Sequence, residues 1–318
     1  MKNRPGSLFR SCTDFCAGGE NGMQYSLDYA IIGTEKPRQE DLHMKSFIRL
    51  TQFTRPELEK IFRIAGSIPE YTGFLNGKTV VMFFPGSSIR TRITFEKGIY
   101  LLGGQSVLFP PETLDKKEDI RDVCGYLNNW ADAVIVRHRD IHMLERMASY
   151  LKVPLINAMT DDNHPCEMMS DLYTLSGRRR DYLGDRYLFV GPGGNIGKAW
   201  KEASEAFGFS LTQCCPPEYR MPDTEWEGNL DEAVKGKDII CTDSLPERMK
   251  ADFAGYQITA GLMGKANPGA ALNPCPPFYR GEEVSEDAID SPAFVGYEFK
   301  KQLLTVQQAI LICCMDNE

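Results

Sequence analysis

The sequence has few histidines and fewer tryptophans, four and three in 318 residues. Its ten cysteines (12, 16, 124, 166, 214, 215, 241, 275, 313 and 314) are scattered, with two vicinal pairs and no CxxC spacing. Together these scarcities argue against a zinc site or a disulfide framework, and reduced, buried thiols are expected. Excess positive charge is also missing, since 36 basic residues face 44 acidic ones. A global attraction to nucleic acid or an anionic membrane is therefore not expected, and any anion site must be local. No apolar run nears the ~20 residues of a membrane-spanning helix, and the N-terminus lacks the apolar core of a secretory signal. The expectation is a cytoplasmic protein with no membrane partner. What is present is a 42% hydrophobic chain long enough for two domains.

Residues 1–43 are rich in Gly, Asp, Glu and Arg, show no sustained periodicity, and read as an irregular extension. From Met44 the stretch MKSFIRL reads as a strand. Thr54 with Glu57 three residues later forms a capping box, and Leu58, Ile61, Phe62 and Ala65 make one apolar helical stripe. Beyond it the pattern predicts strands at 79–84, 106–109, 132–136 and 154–156, separated by helices at 91–102, 118–130 and 142–151. After an interruption at 165–185, strands are predicted at 187–190, 209–214, 238–242 and near 257–260, with helices at 195–207 and near 230. Such alternation implies an α/β fold of two units joined by a helix, each a parallel sheet with helices on both faces. Ligands in these folds sit beyond the carboxyl ends of the strands. The apolar stretch FKKQLLTVQQAILICCM closes the chain as a helix.

Three stretches carry chemistry. In FPGSSIRTRITFE a strand, a Pro-Gly turn and a helix start would gather backbone amides, the Ser88 and Thr91 hydroxyls, and the Arg90 and Arg92 guanidiniums. That composition suits a phosphate, although an isolated RTR is as well read as solvated arginines beside capping hydroxyls. VIVRH delivers Arg137 and His138 to a strand end, and DDNHPCE places His164 and Glu167 just after the next strand. Each alone is as readily structural; together they put polar groups at successive strand ends of one sheet. FVGPGGNIG invites a dinucleotide reading, but the following strand ends in QCCPP with no acidic residue to hold a ribose.

In this order the stretches resemble the aspartate and ornithine carbamoyltransferase family, over roughly residues 44–316. The family's S-T-R-T-R run is similar to Ser88–Arg92, its Glu and Asp four residues apart to Glu118 and Asp122, and its strand-end Arg to Arg137. Its H-P-x-Q is similar to His164–Glu167, followed by Ser170, Asp171 and Leu172. In the second half G-D-x-N-N-V resembles Gly191–Ile196, the ornithine-type T-D resembles Thr242 and Asp243, and H-C-L-P-x-x-R-G-E-E-V resembles Pro274–Val284. The Q-x-A-I-L run stands at Gln307–Leu311.

The resemblance implies a carbamoyl-phosphate-binding domain at 44–170, an acceptor-binding domain at 171–296, and a C-terminal helix at 297–318 returning to the first. It implies phosphate contacts from Ser88, Ile89, Arg90, Thr91 and Arg92, with Arg137 and His164 polarising the carbamoyl carbonyl and Glu167 near its NH2. Asn195 would take an amino acid carboxylate and Asp243 an ammonium group, favouring ornithine or another diamine over aspartate, while Cys275 and Pro276 close over the amine. Lys116, in DKKED, would reach a neighbouring subunit's site, as in the family's trimers. Neither cofactor nor metal is called for, because orienting two substrates supplies much of the rate.

The sequence also departs from the family. Ile89 replaces a Thr, Glu167 a Gln and Pro274 a His; Gln302 and Leu303 stand where the family has Asn-Arg, with Lys300 and Lys301 as substitute cations. Pro246–Met249 replace the segment that grips the ornithine backbone. These changes keep open a second reading, a catalytically altered homologue that binds ligand for regulation or uses another acceptor.

Overall fold

The computed structural model describes residues 45–316; the extension at 1–43 lies outside the described residues. The first sheet contains β1 (Thr79–Phe83), β2 (Gln105–Phe109), β3 (Ala133–Arg137) and β4 (Leu155–Met159), in the order β2-β1-β3-β4. All its pairings are parallel. Preceding it is α1 (Arg55–Gly66), opened by the Thr54–Glu57 capping box and burying Leu58, Ile61, Ile64 and Ala65. The crossovers are α2 (Arg90–Leu101), α3 (Ile120–Leu127) and α4 (Ile141–Tyr150). Strand β3 reads AVIVR and buries four of its five residues, the pattern of a strand covered on both faces.

A long helix, α5 (Pro165–Arg178), leads to the second sheet. That sheet holds β5 (Arg186–Val190), β6 (Ser210–Cys214), β7 (Glu225–Glu227), β8 (Ile239–Thr242) and β9 (Ala271–Pro274), ordered β7-β6-β5-β8-β9 and again parallel. Its helices are α6 (Asn195–Phe207), α7 (Leu230–Ala233), α8 (Ala260–Met263) and α9 (Glu286–Ile289). Gly197 lets α6 lie close to the sheet, because a Cβ there would come within 2.7 Å of the Phe189 ring. The two halves share one apolar cluster; Phe62 of α1 stacks on Phe207 of α6 with centroids 5.8 Å apart.

The last helix, α10 (Gln302–Met315), is apolar on nearly every side and packs on α1, α2 and α5 of the first half. Where it meets α2, a Cβ at Gly98 would touch the Gln308 side chain at 3.0 Å, and Gln308 Nε2 donates to the Gly98 carbonyl at 3.1 Å.

Three expectations need correction. The strand predicted near 257–260 is a helix start: Thr259 Oγ1 accepts from the Leu262 amide and caps α8, and Ile258 makes only a single bridge with Val284. The strand read in MKSFIRL reduces to one bridge, Phe47 with Ile156, before a short turn of helix at Leu50–Gln52. The helix predicted at 118–130 ends at Leu127.

Candidate active site

The strand orders place a switch point between β1 and β3 in one sheet and between β5 and β8 in the other. Loops leaving neighbouring strands diverge at such points and open a crevice. Here both crevices line a single cleft of about 820 Å³. The first half contributes Ser88, Ile89, Arg90, Thr91, Arg137, His164 and Glu167; the second contributes Asn195, Asp243, Cys275 and Pro276. Lys300 lines the cleft as well.

On the wall from the first half the chain turns at Pro85–Gly86 and enters α2, whose first intrahelical bond is Ile93 N–H to the Ile89 carbonyl. The amides of Arg90 to Arg92 precede that bond, and with the helix dipole they favour an anion. Arg137 Nη1 donates to the buried Ser88 Oγ at 2.9 Å, fixing the guanidinium at the end of β3. Burial, and then nearby Arg90, pull the Arg137 pKa down, since each disfavours a second buried positive charge.

His164 occupies the cap position of α5 and is buried. Burial lowers its pKa to about 4, so the ring is neutral at physiological pH. Its Nδ1 is a buried polar atom with no partner among the described residues, on a residue that lines the cleft. His138, next to Arg137, differs. Its Nδ1 accepts from the Asp140 amide at 3.1 Å and its Nε2 lies 3.1 Å from Asp115, so both nitrogens have partners within the fold.

Glu167 lies 2.7 Å from the Lys300 ammonium, which also sits 2.7 Å from Asp171. Burial is the largest influence and opposes the Glu167 anion, but the Lys300 charge and hydrogen bond, with smaller help from neighbouring groups including Arg90, together hold its pKa below the ordinary carboxylate value. For Asp171 burial dominates and the pKa rises. The family resemblance covers Asp171 without giving it a role. Its one-turn spacing from Glu167 on a buried helix was the available signal, because two such carboxylates require a cation.

On the wall from the second half Asn195 opens α6 and donates through Nδ2 to the Thr160 carbonyl at 3.2 Å, bridging the halves. Asp243, at the end of β8, accepts from the Ser244 amide at 2.9 Å. Its pKa is pushed up to about 7, mainly by burial. Burial also drives the Cys275 thiol well above its usual value, so the sulfur stays protonated.

Two candidate residues do not line the cleft. The Arg92 side chain runs along α2 to Glu96 at 3.0 Å. Lys116 is exposed just beyond the short helix Pro111–Asp115.

Two parallel-sheet halves presenting paired cations on one wall of a cleft, and an amide with a carboxylate on the other, describe a group-transfer enzyme that orients two substrates. The known relatives are of that class. Residues 45–177 match the carbamoyl-P binding domain of aspartate/ornithine carbamoyltransferases, and residues 184–314 match their Asp/Orn binding domain. The chain belongs to the aspartate/ornithine carbamoyltransferase family. Among relatives, the ornithine carbamoyltransferase of Pelobacter propionicus is 31% identical over 304 residues, covering 86% of this chain and 99% of its own. That of Geobacter sulfurreducens is 29% identical over 301 residues, with coverage of 86% and 99%. The solved ornithine carbamoyltransferase of Pyrococcus furiosus superposes with a TM-score of 0.81 at 27% identity, over 85% of this chain and 97% of that one. For the Burkholderia thailandensis enzyme the TM-score is 0.80 at 28% identity, over 86% and 99%.

Proposed function

We propose that the protein transfers the carbamoyl group of carbamoyl phosphate to the side-chain amine of ornithine, or of a closely related diamine, releasing phosphate. The observation that carries this reading is the opposition of Arg90 and Arg137 to Asp243 and Asn195 across one cleft. The phosphate lies on Ser88, Arg90, Thr91 and the first amides of α2, with Arg92 adding charge from behind. Arg137 and neutral His164 donate to the carbamoyl oxygen, where negative charge grows as the amine attacks. The amine's lone pair forms the new C–N bond, the C–O bond to phosphorus breaks, and phosphate leaves with that electron pair. The nitrogen then passes its extra proton to the departing phosphate.

Asp243 pairs with the acceptor's second ammonium and Asn195 with its carboxylate, while Cys275 and Pro276 cover the reacting amine. A protonated thiol can pack there without attacking the donor. The division into domains at 44–170 and 171–296, with the chain's end returning to the first, belongs to the same proposal. So does a homotrimer in which Lys116 enters a neighbour's cleft; its exposure away from its own cleft supports this. Among the described residues no helix is long and apolar enough to cross a membrane. We place the protein in the cytoplasm, in arginine metabolism. Pure protein incubated with carbamoyl phosphate and ornithine, putrescine, lysine, aspartate or diaminopropionate should release phosphate fastest with ornithine or a short diamino acid. No amine-dependent release would overturn the proposal.

A further inference from the structure

A phosphate site does not by itself call for two carboxylates, yet α5 supplies them. Glu167 and Asp171 are one helical turn apart on a face buried from Pro165 to Leu172. Out of water they would repel each other and any anionic ligand. Lys300 enters from the turn before α10 and answers both, with Nζ 2.7 Å from Glu167 Oε1 and 2.7 and 2.8 Å from the two Asp171 oxygens. Asp171 is held from the other side by Asn273 Nδ2 at 2.7 Å and does not line the cleft. Glu167 and Lys300 both do. Asp171 therefore anchors the ammonium to β9, and Glu167 is the partner that faces ligand.

We infer that Lys300 is a positioning residue for the donor: anchored by Asp171, it neutralises Glu167 so that this carboxylate accepts a hydrogen bond from the carbamoyl NH2 without repelling the phosphate. The inference rests on reading the cleft as a carbamoyl phosphate site, and it adds a specificity. An acyl phosphate with no N–H on its carbonyl, such as acetyl phosphate, offers Glu167 nothing to accept and leaves a buried acceptor unpaired.

Two double variants of equal net charge test it. Lys300→Met with Glu167→Gln removes the cation together with the carboxylate facing the ligand. Lys300→Met with Asp171→Asn removes the cation and leaves Glu167 bare. The first should keep the KM for carbamoyl phosphate within about tenfold of wild type, and the second should raise it at least about a hundredfold with a smaller change in kcat. Lys300→Arg, which can still bridge two carboxylates, should stay near wild type. Equal donor KM in the two doubles would reduce Lys300 to a structural ion pair and overturn the inference. Glu167→Gln alone retains the Lys300–Asp171 pair and supplies a readout independent of the doubles' folding. It should bind inorganic phosphate within about threefold of wild type, because the carboxylate it loses is already neutralised; binding at least about tenfold tighter would show that Glu167 repels the phosphate in wild type and would also overturn the inference. Wild type that binds neither carbamoyl phosphate nor phosphate would instead sink the donor-site reading itself.

Discussion

Replacing Asp243 with asparagine should stabilise the ligand-free protein at pH 8 and leave it nearly unchanged only below about pH 4. The Asp243 carboxyl titrates near 7 in the fold against 3.8 for a free side chain, because burial disfavours the anion; the Ser244 amide offsets part of this and Glu283 adds repulsion. A raised pKa means that the folded state holds the proton longer than the unfolded state. The carboxyl's contribution is therefore fully present below about pH 4 and is lost as pH climbs through 7. Three pKa units correspond to about 4 kcal/mol at most. Asp243 is partly open to the cleft, so solvent returns some of this, and about 2 kcal/mol is the working figure. Asparagine keeps the acceptor for the Ser244 amide and carries no charge to desolvate. Thermal unfolding of both proteins from pH 4 to 8 should show the variant about 4 °C more stable at pH 8, the gap shrinking steadily and nearly closed at pH 4. Groups common to both proteins cancel in the difference. A gap that does not change with pH would refute the reasoning. The same variant should raise the acceptor KM by about 30-fold, with the donor KM within about threefold, because a charge-assisted bond is lost on one substrate only.

Arg90→Ala should cut kcat/KM at least about a thousandfold while the Tm stays within about 2 °C, since the residue is exposed and acts on developing charge; activity within a few-fold would remove it from the site. Mixing inactive Lys116→Ala chains with inactive Arg90→Ala chains should restore part of the activity, because some clefts then hold both native groups; no recovery after demonstrated subunit exchange would refute a shared site. Cys275→Ser should retain activity within about tenfold, because the thiol is protonated and serves as cover; loss of the whole reaction would indicate that the sulfur itself attacks.

The sequence reveals most where local signals and burial agree. The runs VVMF and AVIV are apolar and bounded by turns, so β1 and β3 could be read directly, along with Arg137 at the end of β3 and the arginines after the turn that follows β1. Strand β7 could not, because EWE carries charge at an edge where one partner suffices to hold it. Strand β9 has four residues with Asn and Pro among them, and its strand character comes from pairing with β8, which no window of sequence contains. The segment before it, QITA, has strand propensity, but Thr259 turned its hydroxyl to capping. The cleft followed the same division. Side chains at strand ends were visible as candidates, and Lys300 was visible as a substitute cation. Its two carboxylate partners were not, because that contact joins residues more than a hundred positions apart.

Helix α10 bears on how the chain is made. Synthesis proceeds from the N-terminus, and the helix that completes the first half is separated from it by the whole second half. Between the end of α5 at Arg178 and the end of α10 at Met315, a ribosome working at about 5–20 residues per second takes roughly 7–30 s. Throughout that interval the faces of α1, α2 and α5 that will receive α10 have no partner from their own chain. A nascent first half is thus an open apolar trough, and a chaperone that binds such surfaces has its longest opportunity there. Ribosomes stalled just after residue 178 should recruit it more strongly than those stalled beyond the end of α10.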